Sequence, residues 1–259
     1  MLPNLRLFEG DCLEVLQGIS SGSVDLVLAD PPYGTTRMKW DSVIPLEPLW
    51  EQLLRVLKPL GLVVMTSGQP FTTTLIASNL PMFKYSWVWE KTSASNPQHS
   101  NYQPLKVHED ILVFTRGGTA SNSKTPAVYN KQMEAGKPYS RGFVTSGGGV
   151  TEGGFKGAVV QSLSGARNPR SVLKISNPKT RGRRHPTQKP LELMEYLLRT
   201  YSHEGHTVMD FAMGGGSTGA AALKLGRPFI GIEKDPVYFE VAKTFLTGLS
   251  EEREAKDVI

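Results

Sequence analysis

Apolar and polar positions alternate along this chain in short blocks that predict strands and helices in turn. Val24–Ala29 is a compact apolar run with the length and β-branched content of a buried strand, and a proline-rich turn follows it. Leu46 to Leu57 has helical spacing, which Pro59 and Gly61 terminate. The plan then repeats: Leu62 to Thr66 predicts a strand, Pro70 to Ser78 a helix opened by proline, and Phe83 to Glu90 an aromatic and β-branched strand. Val107 to Phe114 closes this part. Strands that alternate with helices in this way argue for a mostly parallel sheet covered on both faces, the doubly wound α/β class.

From Gly117 to about Arg184 the periodicity disappears, and Gly, Ser, Pro and Lys dominate, with the runs Gly147-Gly148-Gly149 and Gly153-Gly154. Alternation returns at Pro190, where Leu191, Met194, Leu198 and Tyr201 line one helical face. A strand ending at Asp210, a glycine loop, a helix through Ala221 to Leu225, a strand Phe229 to Glu233 and a last helix complete the pattern. The sheet is therefore expected to be built from both ends of the chain, 1–116 and 185–259, with 117–184 as a small loop-rich insertion.

Charge sharpens that division. The chain of 259 residues carries a net +5, but Gly117 to Lys189 holds thirteen Lys or Arg against Glu134 and Glu152, a local +11 that leaves −6 for the remainder. Basic residues spread through a loop-rich segment suit phosphate contacts, because neutralising phosphates releases counterions. A solvated flexible insertion is the alternative reading. Cys12 is the sole cysteine, so no intramolecular disulfide and no cysteine-built zinc site is expected, and no metal site is implied. No run of eighteen apolar residues and no signal-like N-terminus occurs, so a cytoplasmic protein without a membrane partner is expected.

Two motifs carry chemistry. Gly214-Gly215-Gly216-Ser217-Thr218-Gly219 follows a strand and opens a helix with the spacing that brings backbone amides close to a cofactor. Glu233, at the tip of the next strand, stands where a carboxylate accepts hydrogen bonds from ribose hydroxyls. A tight turn with an exposed acid is the plainer alternative. A nicotinamide cofactor would need a further mononucleotide-binding half, for which too little chain follows Gly219, so adenosine without pyrophosphate fits better. Asp30-Pro31-Pro32-Tyr33 sits at the carboxyl end of the first predicted strand, where open α/β sheets bind ligands. An exocyclic amine is a poor nucleophile because its lone pair is delocalised; Asp30 and the Pro31 carbonyl can accept its two hydrogens, and Tyr33 offers a stacking face to a flipped base.

These motifs, Asp30 to Tyr33 and Asp210 to Ala222, resemble those of the amino-type DNA methyltransferases. With the catalytic motif first, a variable basic segment next and the cofactor motif last, the chain is similar to the beta group of that family. The resemblance covers nearly the whole chain outside Gly117 to Arg184. It implies a circularly permuted, Rossmann-like methyltransferase fold with a mostly parallel seven-stranded sheet, and methyl transfer from S-adenosylmethionine. Asp30, Pro31, Pro32 and Tyr33 would be catalytic. Asp30 would also border the cofactor, with Asp210, Phe211, Ala212, Gly214, Gly216, Ser217, Thr218 and Glu233. Glu9-Gly10-Asp11-Cys12-Leu13 resembles a further segment that would put Asp11 and Cys12 beside cofactor or base, although a small buried cysteine explains Cys12 equally well. His185-Pro186-Thr187-Gln188-Lys189-Pro190 resembles the motif at the start of a helix beside the cofactor, which brings in Thr187 and Lys189. His108-Glu109 matches another segment, where a structural role is the main expectation.

One departure stands out. The family pattern Asp-Pro-Phe-x-Gly-Ser-Gly reads here with Phe211 and Ala212 after Asp210 and with Gly215 in place of serine. An aromatic displaced by one position at a strand end points to the opposite face. With Asp30 as first residue of the tetrapeptide, the resemblance implies N6 of adenine rather than N4 of cytosine, and a catalytically silent DNA-binding relative or an enzyme acting on RNA or protein amides are the other readings. Double-stranded DNA is the expected partner, with Arg167, Arg170, Arg181, Arg183 and Arg184 of the 117–184 target-recognition segment as candidate contacts and Asn96, His99 and Asn101 as a second polar loop. Oligomeric state stays open between a monomer and a homodimer.

Overall fold

The computed structural model describes residues 4–36, 38, 41–141, 160–178 and 184–257. Along the chain run β1 (Leu5–Glu9), α1 (Cys12–Gln17), β2 (Val24–Ala29), α2 (Leu46–Val56), β3 (Leu57–Ser67), α3 (Phe71–Ser78), β4 (Phe83–Glu90) and β5 (His108–Thr115). There follow β6 (Tyr139–Arg141), β7 (Val160–Ser162), β8 (Val172–Lys174), α4 (Leu191–Tyr201), β9 (Val208–Asp210), α5 (Ser217–Lys224), β10 (Phe229–Glu233) and α6 (Pro236–Asp257). None of these helices is long and apolar enough to cross a membrane.

The central strands carry apolar runs, Leu26–Ala29 in β2 and Leu62–Met65 in β3, because both of their faces are covered there. On β2 and β3, Leu26, Leu28, Leu62 and Val64 point into a core shared with Leu193 and Leu197 of α4, Ala221 of α5 and Leu246 of α6. Their neighbours Val27, Ala29, Val63 and Met65 point the other way, into a second core with Leu16 of α1, Leu49 and Leu53 of α2 and Leu75 of α3. In α2 the buried positions are Leu49, Trp50, Leu53 and Val56, one stripe at helical spacing. Asp11 caps α1 by accepting the Leu13 amide at 2.9 Å.

One sheet has the strand order β1-β10-β9-β2-β3-β5-β4-β8. All neighbouring strands are parallel except at β5, which runs antiparallel to both β3 and β4. Among the described residues the sheet thus has eight strands where the resemblance implied seven. The additional edge is β8, which pairs in parallel with Val88–Glu90 of β4. Three residues flanked by Pro, Ser and Asn are too few to set up a visible alternation, and only Leu173 of the three is buried. From β9 the chain passes to β10 on one side, and from β2 to β3 on the other. The order therefore reverses between β9 and β2, opening a crevice at their carboxyl ends.

The chain divides into two compact units, Met1–Asn130 with Ser171–Ile259, and Lys131–Arg170. The first holds the eight-stranded sheet, together with residues 117–130 and 171–178. Within the second, β6 and β7 pair antiparallel, and Glu134 and Arg167 exchange backbone hydrogen bonds of 3.0 and 2.8 Å. The Arg167 guanidinium lies 4.1 Å from the centroid of the Tyr139 ring and donates to the Gly165 carbonyl.

Helix α5 approaches the sheet closely at Gly219, where a Cβ would stand 2.7 Å from Phe229 and 2.8 Å from Leu246. Gly219→Val is therefore expected to lower stability by about 1–3 kcal/mol through overpacking, read as a reduced urea midpoint at unchanged m-value.

Candidate active site

The carboxyl end of β2 delivers Asp30, and three groups hold its carboxylate. Oδ1 accepts from the Tyr33 hydroxyl at 2.8 Å and from the Thr66 hydroxyl of β3, and Oδ2 accepts from Lys189 Nζ at 2.6 Å. Pro31 and Pro32 fix the backbone of this turn. Lys189, just before α4, also lies 3.2 Å from Glu109 Oε2 at the start of β5, and Lys91 pairs with Glu109 Oε1. Lys91, Glu109, Lys189 and Asp30 thus form a chain of alternating charges in which both lysines are buried. Burial alone would raise the Glu109 carboxyl, but the Lys189 and Lys91 ammonium groups outweigh it and hold it below the ordinary carboxylate range. Burial likewise disfavours the Lys189 cation, and Asp30 and Glu109 reverse the sign, raising it. The Tyr33 hydroxyl is pushed up by burial and by the carboxylates of Asp30 and Glu109, so it stays a neutral donor. The Tyr33 ring stacks on Phe71 of α3 at 5.5 Å with 19° between planes.

The end of β9 delivers Asp210, which is 2 % exposed and accepts the Ala212 amide at 3.0 Å. Burial pushes its carboxyl up to about 7, against the hydrogen bonds from Thr218 and Ala212. The loop then turns through Gly214 and Gly216 at φ of +50° and +79°, a backbone region in which a side chain is strained. Gly214 donates its amide to Glu233 Oε2 at 2.8 Å, and Asp235 donates to Oε1 at 2.9 Å. The Glu233 carboxyl is itself raised by burial. Arg184 donates to the Gly215 carbonyl at 3.1 Å while its guanidinium lies 3.5 Å from the Phe245 ring centroid, and the His185 ring meets Tyr238 at 4.2 Å. These contacts press the loop against α6. Among the described residues the buried Ser217 hydroxyl has no hydrogen-bond partner.

Both ends open into one cavity of about 940 Å³. All four residues of the Asp30 to Tyr33 motif line it, as do Asp11, Cys12, Thr187, Lys189, Asp210, Phe211, Ala212, Gly214, Ser217, Thr218 and Glu233. Gly216 does not; its Cβ position faces Leu246 and Ala242 of α6, so it serves the turn. Lys189 borders the cavity, but its ammonium is spent on the two carboxylates. The Cys12 thiol, buried beside Asp11, is pushed up to about 12 by desolvation and is unreactive as a nucleophile. Asp11 reaches Lys234 at 2.9 Å. The displaced Phe211 packs among Cys12, Met209 and Ile232 in the second core. Its neighbour Ala212 is half-buried.

Among the candidate DNA contacts, Arg181 and Arg183 lie outside the described residues. Arg184 is engaged as above and Arg167 is folded over Tyr139, whereas the Arg170 side chain is 84 % exposed, 3.9 Å from Glu134. Asn96 and His99 line the rim of the cavity, on a loop after Lys91. Sequence reading missed Thr66 and Lys91 altogether and weighed Glu109 as mainly structural, although His108-Glu109 matched a segment of the resembling family at a strand start. The described residues contain no group of three His, Cys, Asp or Glu arranged to hold a metal ion.

A family model described as DNA methylase matches residues 24–244. The type II methyltransferase M.HpaI of Haemophilus parainfluenzae is 28 % identical over 254 residues, covering 92 % of this chain and 73 % of its own length. Among solved structures, the M1.HpyAVI–SAM complex superposes with a TM-score of 0.63 at 23 % identity, covering 93 % of this chain and 98 % of that one. PvuII DNA methyltransferase, named as cytosine-N4-specific, gives a TM-score of 0.63 at 16 % identity over 97 % of this chain and 93 % of its own. At these identities the two structures speak for the fold.

Asp210 yields a pH prediction. Its folded carboxyl titrates near 7 against an ordinary 3.8, so the folded state holds a proton that the unfolded chain releases. That contribution is complete below pH 3.8 and is lost as pH rises through 7. Asp210→Asn removes it, and the variant is expected to be more stable than the parent at pH 8 by up to about 4 kcal/mol, with no advantage at pH 4. Urea unfolding at the two pH values checks this; an equal offset at both would reject it.

Proposed function

The chain belongs to the DNA methylase family, the amino-type DNA methyltransferases, and on that premise we propose that it methylates N6 of adenine in duplex DNA with S-adenosylmethionine as donor. The observation that carries this reading is the meeting of Asp30 to Tyr33 and Asp210 to Glu233 in one cavity. The second group suits this donor in charge and in hydrogen bonding. Asp210 and Glu233 are buried carboxylates whose described partners are uncharged amides and hydroxyls, so a ligand bearing an amine and a sulfonium complements them. Ser217 offers a buried hydroxyl without a hydrogen-bond partner among the described residues. When bound, S-adenosylmethionine supplies an electrophilic methyl group that needs no further activation.

The chain's own task is then orientation. The Pro31 carbonyl and Asp30 accept the two hydrogens of the amine, which favours the pyramidal form with its lone pair available. Tyr33 and Thr66 hold one Asp30 oxygen and Lys189 the other, so the carboxylate meets the base in a fixed plane. Tyr33, backed by Phe71, offers a rigid face for a base rotated out of the duplex. Adenine is preferred because Asp30 heads the tetrapeptide, the resemblance assigning aspartate there to adenine and serine more often to cytosine. The basic residues of 117–184 are proposed to bind the DNA backbone.

Incubation with labelled cofactor and mixed-sequence duplex DNA, followed by nucleoside analysis, is expected to yield N6-methyladenine; N4-methylcytosine would overturn the choice of base. Asp30→Ala should lower the rate about 100-fold or more with the fold intact by circular dichroism. Full activity in that variant would reject the assignment. Arg170→Ala is expected to weaken DNA binding for all sequences alike and to reduce the slope of log K against log salt by about 1. An unchanged slope would remove Arg170 from the phosphate contacts.

A further inference from the structure

Resting on the reading of this site as one that extrudes a base from duplex DNA, we propose that Tyr102 is the residue that enters the helix and fills the space the target base leaves. Tyr102 is 87 % exposed, the most exposed of the large hydrophobic side chains among the described residues. Burying an aromatic ring is favourable, so a ring kept in water at a loop tip stands ready for an apolar partner that arrives later.

The loop that bears it is anchored at both ends and borders the site. Lys91 donates its amide to the Val107 carbonyl at 2.7 Å, Ser95 donates to Lys106 at 3.1 Å, and the Asn96 side chain accepts the Lys106 amide at 2.5 Å. Tyr102 is carried on a turn whose amides return to the His99 carbonyl at 2.9 Å from Tyr102 and 3.1 Å from Gln103. Asn96, Gln98, His99 and Lys106 of this loop line the cavity that contains Asp30 and Tyr33. Between Lys91 and His108 the sequence has no acid and three basic or imidazole side chains in addition to Lys91 itself, namely His99, Lys106 and His108. A neutral-to-basic loop with amide side chains and one projecting phenol ring suits a polyanion with a stacked interior.

Physical necessity supplies the rest. Rotating a base out leaves its neighbours unstacked on one side, and a planar side chain inserted there restores part of the lost stacking. Tyr33, stacked on Phe71 and bonded to Asp30, is held inside the cavity and cannot take this part. Tyr102 acts on the base-extrusion step and touches neither the reacting amine nor the methyl donor.

The test separates extrusion from chemistry. The methylated site is first read by sequencing plasmid DNA that the protein has methylated; duplexes carrying it then present the target base either paired or opposite an abasic position. Tyr102→Ala is expected to lose roughly 10- to 100-fold in kcat/KM on the paired duplex and to regain parental rates within about threefold on the abasic one. Tyr102→Phe should keep parental rates on both. With 2-aminopurine at the target position, the parent should brighten on binding and Tyr102→Ala should not. Equal rates of parent and Tyr102→Ala on paired DNA, or an equal loss on both duplexes, would overturn the inference while leaving the proposed function standing. Absence of methylation of any duplex by the parent would instead remove the proposed function, and this inference with it.

Discussion

The contact between Lys189 and Asp30, 2.6 Å long and 159 residues apart in the chain, is the constraint on which the site depends. It ties the segment before α4 to the end of β2, so the two stretches of chain that build the sheet meet at one carboxylate. Two buried lysines are expensive to remove from water, and a salt bridge between buried groups gives back little net stability. The alternating order Lys91, Glu109, Lys189, Asp30 makes the arrangement tolerable, because each charge has an opposite neighbour and the four sum to zero. What such a chain provides is geometry: with Tyr33 and Thr66 on its other oxygen, Asp30 has no free rotation left.

Topology puts that carboxylate where it is useful. Parallel strands end with their last residues at one rim, and the reversal of strand order between β9 and β2 opens the rim there. Asp30 and Asp210 are the first residue after β2 and the last of β9, so two acids arise side by side from opposite parts of the sequence. The same rim receives Glu233 from β10 and Glu109 from the start of the antiparallel β5. An antiparallel strand begins where its parallel neighbours end, and this is why a residue at the amino end of β5 can reach the site.

Much of this was legible in the sequence because it is local. The strand at Val24 to Ala29, the proline turn, the glycine loop and Glu233 announce themselves within a few residues, and Phe83 to Glu90 and Phe229 to Glu233 need no adjustment at either end. Lys91 and Thr66 were not legible, and for Glu109 only a segment match was, since a polar side chain has no periodicity and its partner lies on another strand or loop. Lys189 shows the limit most clearly. Its motif located it beside the cavity, but only the fold reveals that its ammonium is committed to Asp30 and Glu109. Likewise β8 escaped notice because three residues cannot display an alternation, and the place of Phe211 in the second core became visible only once that core was assembled.

The cavity is electrically unequal from end to end. At the Asp30 end the charges cancel among themselves, so a neutral nucleobase can enter without stranding an ion. At the glycine end Asp210 and Glu233 have amides and hydroxyls as partners and are raised by burial, which means that without a cation the charged forms are disfavoured. A cationic ligand reverses this, drawing the Asp210 proton off and gaining a carboxylate already in place. The neutral end gains nothing comparable from a cation, because Lys189 would repel it. On the proposed reading, the same carboxylate chemistry is set by its neighbours to two tasks, one acid screened by lysine to receive an amine and the other left unscreened to attract positive charge.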